Sequence, residues 1–333
     1  MNTINWGIIG CGDVTELKSG PVFNKVPNSS LVAVMRRNAE KAADYARRHH
    51  VSAWYSNADD LIHDAEVNAI YIATPPSSHE EYAIAAIHVG KPVYVEKPMA
   101  LNYASAQRMA NAADEKNVKL VVAHYRREWP LFKKIKELVS SNAIGKITGV
   151  TLLFNRLPLT AEELSVEKTA WRVDPKISGG GLFHDLAPHQ LDILYWLFGN
   201  AKKISGVSSR QNGLYAADDT VAADILFENG IAFNGAWCFN ADESTDHCEI
   251  TGTEGKIGFS FFSGNSIRLA LKEQTTILDF EPLQHVQQPM IEKVVQYFLG
   301  EAENPCSGRE GAEVMRWMDE LTNIEQGTRN VES

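Results

Sequence analysis

Over the first 125 residues, short apolar runs alternate with longer stretches of mixed helical composition. Asn5-Trp6-Gly7-Ile8-Ile9, Leu31-Val32-Ala33-Val34-Met35, Ala69-Ile70-Tyr71-Ile72-Ala73, Val93-Val95 and Lys119-Ala123 read as buried strands. Ala39–His49, Ser78–His88 and Ala104–Asn117 read as the helices between them, with Gly90 as a stop signal. Strands too apolar for one wet face, separated by helices, predict a parallel sheet covered on both sides.

Beyond residue 125 the period changes. Pro130–Ser140 reads as a helix and Lys146–Phe154 as a strand. Further strands are expected at 204–210, 219–228, 230–239, 246–252, 256–262, 266–272 and 275–280, with helices at 289–299 and 308–326. The turns Glu228-Asn229-Gly230 and Gly252-Thr253-Glu254-Gly255 favour antiparallel neighbours. The expected fold is an α/β Rossmann-type N-terminal domain over 1–124. An α+β C-terminal domain over 125–333 follows, with a large open, mostly antiparallel sheet whose closing helices are free to pack back on the first domain. Phe227, Phe233, Trp237 and Phe239 need cover, either from helices or from a second copy of the sheet in a homodimer or homotetramer.

Composition narrows the partners. With 32 basic against 42 acidic residues, a formal charge of -10 and no basic run, neither nucleic acid nor an anionic membrane is expected. Cys11, Cys238, Cys248 and Cys306 match neither a disulfide framework nor a zinc spacing, so no metal is expected and a reducing compartment is. The first strand starts at once, without a signal-peptide pattern, and no apolar stretch is long enough to span a bilayer, so a cytoplasmic protein is expected.

The first strand runs into Gly10-Cys11-Gly12-Asp13-Val14-Thr15. Two glycines allow a tight turn and close approach of backbone to a pyrophosphate at a helix N-terminus, although Thr15 stands where a third glycine or alanine is usual. An NAD site usually has Asp or Glu after the second strand. This chain has Met35-Arg36-Arg37, and two guanidinium groups there suit a 2′-phosphate, so NADP is the expected cofactor and NAD the alternative. Ala73-Thr74-Pro75-Pro76 follows the third strand, beside the expected pyrophosphate and ribose. His79 either joins that loop at the cofactor or is simply a first-turn helix residue.

Glu96-Lys97-Pro98 follows the next strand, where a sheet of this kind opens its ligand crevice. Lys97 there can hold a substrate hydroxyl and stabilise oxyanion character during hydride transfer, and Glu96 shares the same cofactor edge. Within Gly179–Asp192, Pro188 suits a first helical turn, which makes Asp185 an N-cap and starts the helix near Leu186. His189 shares a helix face with Asp185 and Asp192, so either carboxylate could orient an imidazole that moves the hydroxyl proton. The three glycines upstream either admit cofactor or substrate closely or form a connector. Trp171-Arg172 offers a guanidinium and an indole wall to cofactor or substrate; Arg126 and Arg127 offer a polar edge, one of the two being structural.

These motifs together resemble the glucose-fructose oxidoreductase, inositol dehydrogenase and rhizopine-catabolism oxidoreductase (Gfo/Idh/MocA) family over nearly the whole chain. The resemblance implies an N-terminal nicotinamide-nucleotide domain and an open-faced C-terminal sheet for substrate binding and oligomerisation. It implies Lys97 as the group that polarises the reacting hydroxyl, His189 as acid/base, and Asp185 as its support or a substrate contact. The expected activity is hydride transfer between NADP(H) and a secondary alcohol or carbonyl of a sugar, cyclitol or polyol. The alternatives are an NAD-dependent sugar or inositol dehydrogenase, a sugar–sugar oxidoreductase with tightly held cofactor, a glycoside-cleaving enzyme using NAD transiently, and a cofactor-sensing binding protein without turnover.

Overall fold

The computed structural model describes residues 2–272 and 274–322. The described residues form two compact units, 2–126 with Leu283–Met315, and Arg127–Pro282 with 316–322.

The first unit contains β1 (Ile4–Ile9), α1 (Asp13–Leu17), β2 (Ser29–Met35), α2 (Ala39–His49), β3 (Ala53–Tyr55), α3 (Ala58–His63), β4 (Ala69–Ile72), α4 (His79–His88), β5 (Val93–Val95), α5 (Tyr103–Lys116) and β6 (Leu120–Val122). Its sheet is ordered β3-β2-β1-β4-β5-β6, and all of its strand pairs are parallel. The strand order reverses between β1 and β4, where sheets of this type bind ligands beyond the strands' C-terminal ends. Strand residues such as Ile8, Val34, Ile70 and Val95 are fully buried, which explains their unbroken apolar character. The pattern of the sequence did not reveal β3 and α3, because elements of three and six residues are too short to establish a period.

The second unit contains α6 (Pro130–Ser140), β7 (Ile147–Asn155), α7 (Ala161–Ser165), α8 (Glu167–Ala170), α9 (Pro175–Ser178), α10 (Gly181–Phe198), β8 (Ala201–Ser209), β9 (Thr220–Phe227), β10 (Ala232–Cys238), β11 (Thr245–Gly252), β12 (Gly255–Phe259), β13 (Ser266–Leu271) and β14 (Gln274–Asp279). The eight-stranded sheet is ordered β14-β13-β12-β11-β7-β10-β9-β8; β7 and β10 pair in parallel and the other neighbours are antiparallel. Two helices close the chain, α11 (Gln288–Leu299) and α12 (Gly308–Leu321), and the division between units falls inside α12. The expected continuation of that last helix over 323–326 lies outside the described residues.

One face of the large sheet carries the core. Phe227, Phe233, Trp237 and Phe239 are all fully buried. Trp237 meets Phe183 of α10 edge-on at 5.2 Å, and Phe227 packs on Phe198 and Trp317. These aromatics therefore lie under helices, and the argument for a second copy does not rest on them. On the open face, Leu153, Val207, Leu226 and Ile277 are exposed among polar neighbours.

Helix α10 starts at Gly181, not near Leu186, so Asp185 is not its N-cap and Pro188 lies inside it. A proline inside a helix costs roughly 3 kcal/mol through its missing N–H and ring clash. Burial of Leu182, Phe183, Ala187, Leu191, Ile193 and Leu194 on this one helix outweighs that.

Arg127 and Asp192 join α10 to the start of the unit. Their side chains are 2% and 1% exposed, and Arg127 Nε and Nη2 both donate to the carboxylate, the latter at 2.6 Å. Removing one partner strands a buried charge, so Arg127→Met should cost about 3–5 kcal/mol in urea unfolding. Arg127→Met combined with Asp192→Leu should recover most of that loss. A single variant as stable as wild type would show that the pair is not buried in solution.

Candidate active site

Three loops emerge from the C-terminal ends of adjacent strands β1, β4 and β5. The first, Gly10–Gly12, turns on Gly10 at φ +96, where a Cβ would lie 2.8 Å from the Thr74 backbone nitrogen. Glycine is therefore needed both for the turn and for the approach of the second loop, Ala73–Pro75. At Gly12 a Cβ would meet nothing nearer than 3.9 Å, leaving room above the turn. The first-turn N–H groups of Asp13 and Val14 have no intrahelical acceptor by helix geometry. These features fit the pyrophosphate of a dinucleotide cofactor. Thr15 fills the third fingerprint position from within: it is fully buried, its Oγ1 donates to the Gly12 carbonyl at 2.8 Å and its carbonyl accepts from Tyr45. Cys11 contributes backbone only; burial pushes its thiol up to about 11.

Arg36, half-buried, turns back across this loop and donates to the Cys11 carbonyl at 3.3 Å, while Arg37 is exposed. No acid stands beside them at the end of β2.

His79 is not aimed at a ligand. It is fully buried, with Nε2 2.7 Å from the Thr74 carbonyl oxygen and Nδ1 3.0 Å from that of Pro98. A neutral ring donates from one nitrogen only, so it hydrogen-bonds one of these carbonyls and packs against the other, buried between the second and third loops.

The third loop holds Glu96 and Lys97, with a cis peptide between Lys97 and Pro98. Lys97 is half-buried. Glu96 turns inward instead of lining the cofactor edge: it is 6% exposed and accepts from Tyr71 Oη and Gln287 Nε2, each at 2.6 Å, and from the Lys97 backbone N–H at 3.2 Å. Pattern reading missed both donors. Tyr71 had a signal, since a phenol inside the apolar run Ala69–Ile72 needs a partner when buried. Gln287, 191 residues from Glu96, had none.

In the second unit, Arg172 Nε lies 3.3 Å from Asp185 Oδ2, and its guanidinium stacks 4.7 Å from the Trp171 ring. Three residues singled out from sequence are thus in one cluster. Asp185 is one turn before His189 on α10, whose ring is 4% exposed and meets Phe262 edge-on at 5.8 Å. Asp192 is committed to Arg127, so of the two carboxylates considered for orienting His189, Asp185 is the one not held by that pair. Arg126 is 5% exposed, with its guanidinium 5.9 Å from the centroid of the Tyr125 ring.

The glycines at the start of α10 serve the helix itself. A Cβ at Gly180 would fall 2.0 Å from His184 Nδ1, and Gly181, at φ +77, would place one 2.4 Å from the Ala217 Cβ. Their close approach is to protein. Among the described residues no helix is long and apolar enough to cross a membrane.

A parallel Rossmann sheet with a glycine turn at its switch point, followed by Lys97 at the end of a neighbouring strand, defines a nicotinamide-nucleotide oxidoreductase class. Residues 4–124 match the model of the oxidoreductase family with an NAD-binding Rossmann fold, and residues 132–258 match the GFO/IDH/MocA C-terminal domain. An oxidoreductase of Formosa agariphila is 49% identical over 318 residues, 95% of this chain and 97% of its own. The chain belongs to the Gfo/Idh/MocA oxidoreductase family. A 1,5-anhydro-D-fructose reductase of Ensifer adhaerens is 26% identical over 255 residues, covering 76% of this chain and 74% of its own. The solved structure of a levoglucosan dehydrogenase in complex with NADH has the same fold, with a TM-score of 0.86, 24% identity and 96% of each chain covered.

Burial of the His79 ring predicts a pH dependence. Burial lowers the His79 pKa below its ordinary 6.5, so the unfolded chain takes up a proton more readily than the folded one. The stability given by the neutral ring is complete above 6.5 and is lost as the pH falls below it. The stability difference between wild type and His79→Gln should therefore shrink on acidification through that value. A difference that stays constant would mean the ring titrates alike in the folded and unfolded states.

Proposed function

We propose that this protein is an NAD(H)-dependent oxidoreductase acting on a secondary alcohol or carbonyl of a sugar, anhydrosugar or related polyol. The observation that carries the reading is the convergence of the Gly10–Gly12 turn, the Ala73–Pro75 loop and Lys97 at the ends of β1, β4 and β5 in one unit. NAD(H) is supported by the family description and by the NADH held in the levoglucosan dehydrogenase structure. A sugar-like substrate is supported by the relatives that act on anhydrosugars. The cofactor, when bound, supplies or accepts the hydride. Gly10, Cys11, Gly12, Asp13 and Val14 hold its pyrophosphate and Ala73, Thr74 and Pro75 border it. The Lys97 ammonium polarises the reacting oxygen and stabilises its negative charge. His189 takes or returns the hydroxyl proton, and Asp185, steadied by Arg172, orients substrate or imidazole. The open sheet face bearing Leu153, Val207, Leu226 and Ile277 is assigned to a second copy of the chain.

NADP(H) is the second reading, favoured by Met35-Arg36-Arg37 and the missing acid at the end of β2. Titrations of NADH and NADPH against wild type, Arg36→Ala and Arg37→Ala separate the two. A real 2′-phosphate contact is worth about 1.5–3 kcal/mol, so its loss weakens NADPH at least about tenfold and spares NADH. NAD(H) use predicts NADH binding as tight as NADPH or tighter in wild type, with Arg37→Ala changing neither. Binding of neither nucleotide would refute the functional reading.

Activity is then followed by nicotinamide absorbance against a panel of sugars, anhydrosugars and polyols. Lys97→Ala and His189→Ala should each cut kcat by about a hundredfold or more, while His189→Ala leaves the NADH Kd unchanged. Full turnover by His189→Ala would remove it from the proton path.

A further inference from the structure

We propose that Gln287 and Tyr71, acting through the buried carboxylate of Glu96, are positioning residues for Lys97. The inference rests on the reading of Lys97 given above and adds the device that holds it.

Glu96 is an expensive residue to bury. A carboxylate with 6% exposure is tolerated only if donors replace its water. Here both oxygens are engaged, Oε1 by Tyr71 and Gln287 and Oε2 by the Lys97 backbone N–H. Each donor is itself fixed. Tyr71, fully buried on β4, stacks on Tyr94 of β5 at 5.1 Å and hydrogen-bonds with Ser19 Oγ at 3.1 Å. Burial, reinforced by the Glu96 charge, pushes the Tyr71 phenol well above its ordinary range, so it stays a neutral donor. Gln287, 1% exposed, has its Oε1 accepting from Tyr94 Oη at 3.2 Å, which turns Nε2 toward Glu96. That sets the amide orientation through the hydrogen-bond network.

Lys97 is therefore pinned on both sides. Before it, the Glu96 N–H donates to the Ile72 carbonyl at 2.9 Å and the Glu96 side chain grips the Lys97 N–H. After it, the Pro98 and Met99 carbonyls face His79. An apolar side chain at position 96 could fill the same space without three donors, and buried charge networks are weak sources of net stability. What this one supplies is a fixed backbone direction for the ammonium, and hydride-transfer geometry is sensitive to displacements of about 1 Å. Gln287 comes from the segment before α11, so the returning C-terminal chain completes the support of a loop nearly 200 residues earlier.

The test uses full-length protein with reductively ¹³C-methylated lysines, the Lys97 resonance being assigned by its loss in Lys97→Arg. In Glu96→Gln and Gln287→Met that resonance should shift or broaden while those of exposed Lys133 and Lys256 do not. Tyr71→Phe, which keeps the ring stack, guards against a variant that fails to fold and should perturb the same resonance. Glu96→Gln combined with Gln287→Glu restores donor and acceptor in reversed order and should return the signal toward wild type. In turnover, Glu96→Gln and Gln287→Met should lower kcat roughly tenfold or more with the KM for substrate and the NADH Kd changed less than about threefold. A Lys97 resonance unmoved in all three single variants would overturn the proposal. The functional reading is tested separately by adding NADH to wild type: a silent Lys97 resonance refutes that reading, whereas the single variants alone decide the positioning role.

Discussion

The first unit is organised around one buried negative charge. Glu96 has left solvent, and everything that makes this tolerable also fixes the loop that follows β5. Tyr71 and Tyr94 sit in register on neighbouring strands, so their hydroxyls reach the carboxylate and the Gln287 amide without any loop having to adapt. The parallel sheet thus supplies the rigid base, and the segment before α11 supplies the missing donor. Low local dielectric strengthens each of these bonds and raises the penalty for losing any one of them. His79, buried between the Thr74 and Pro98 carbonyls, fills the space between the next loop and this one.

The second unit solves a similar problem with different means. Its helix α10 must carry Asp185 and His189 at defined positions despite an internal proline. Burial of its apolar side, the Arg127–Asp192 pair and the bond from Trp237 Nε1 to Gln190 Oε1 at 2.6 Å hold it in place. Gly180 gives the His184 ring its space, and Ser178 Oγ accepts from the first helical N–H of Gly181 at 2.9 Å. Residues that read in sequence as candidates for chemistry are here divided. Asp192, Arg127 and the glycines build the helix, and Asp185 pairs with Arg172 one turn before His189.

The architecture was legible because it depends on periodicity. Buried parallel strands give unbroken apolar runs, the sheet of the second unit alternates along β9 with Val221, Ala223, Ile225 and Phe227 buried, and helix Pro130–Ser140 carries both its proline start and its apolar stripe. The glycine turn and the place of Lys97 were legible because both follow the ends of apolar strands. What escaped was whatever depends on contacts distant in sequence. Pro188 suggested a later helix start because local rules favour proline in a first turn, and tertiary burial overrode them. Glu96 and His79 looked like ligand contacts because polar residues beside a cofactor loop usually are; only the structure shows their atoms taken by protein partners. Arg36 and Arg37 illustrate the same limit. Their charge favours a 2′-phosphate, yet Arg36 is engaged with the Cys11 carbonyl, a contact that no local pattern announces.

The central claim is that the loops after β1, β4 and β5 form one nicotinamide-nucleotide surface. Amide hydrogen exchange of the full-length protein, with and without saturating NADH, tests it most directly. The account predicts slowed exchange together in Gly10–Thr15, Thr74–Ser78 and Glu96–Met99, with the strands β11 to β14 unchanged. Protection absent from these loops, or confined to other regions while NADH is bound, would contradict it.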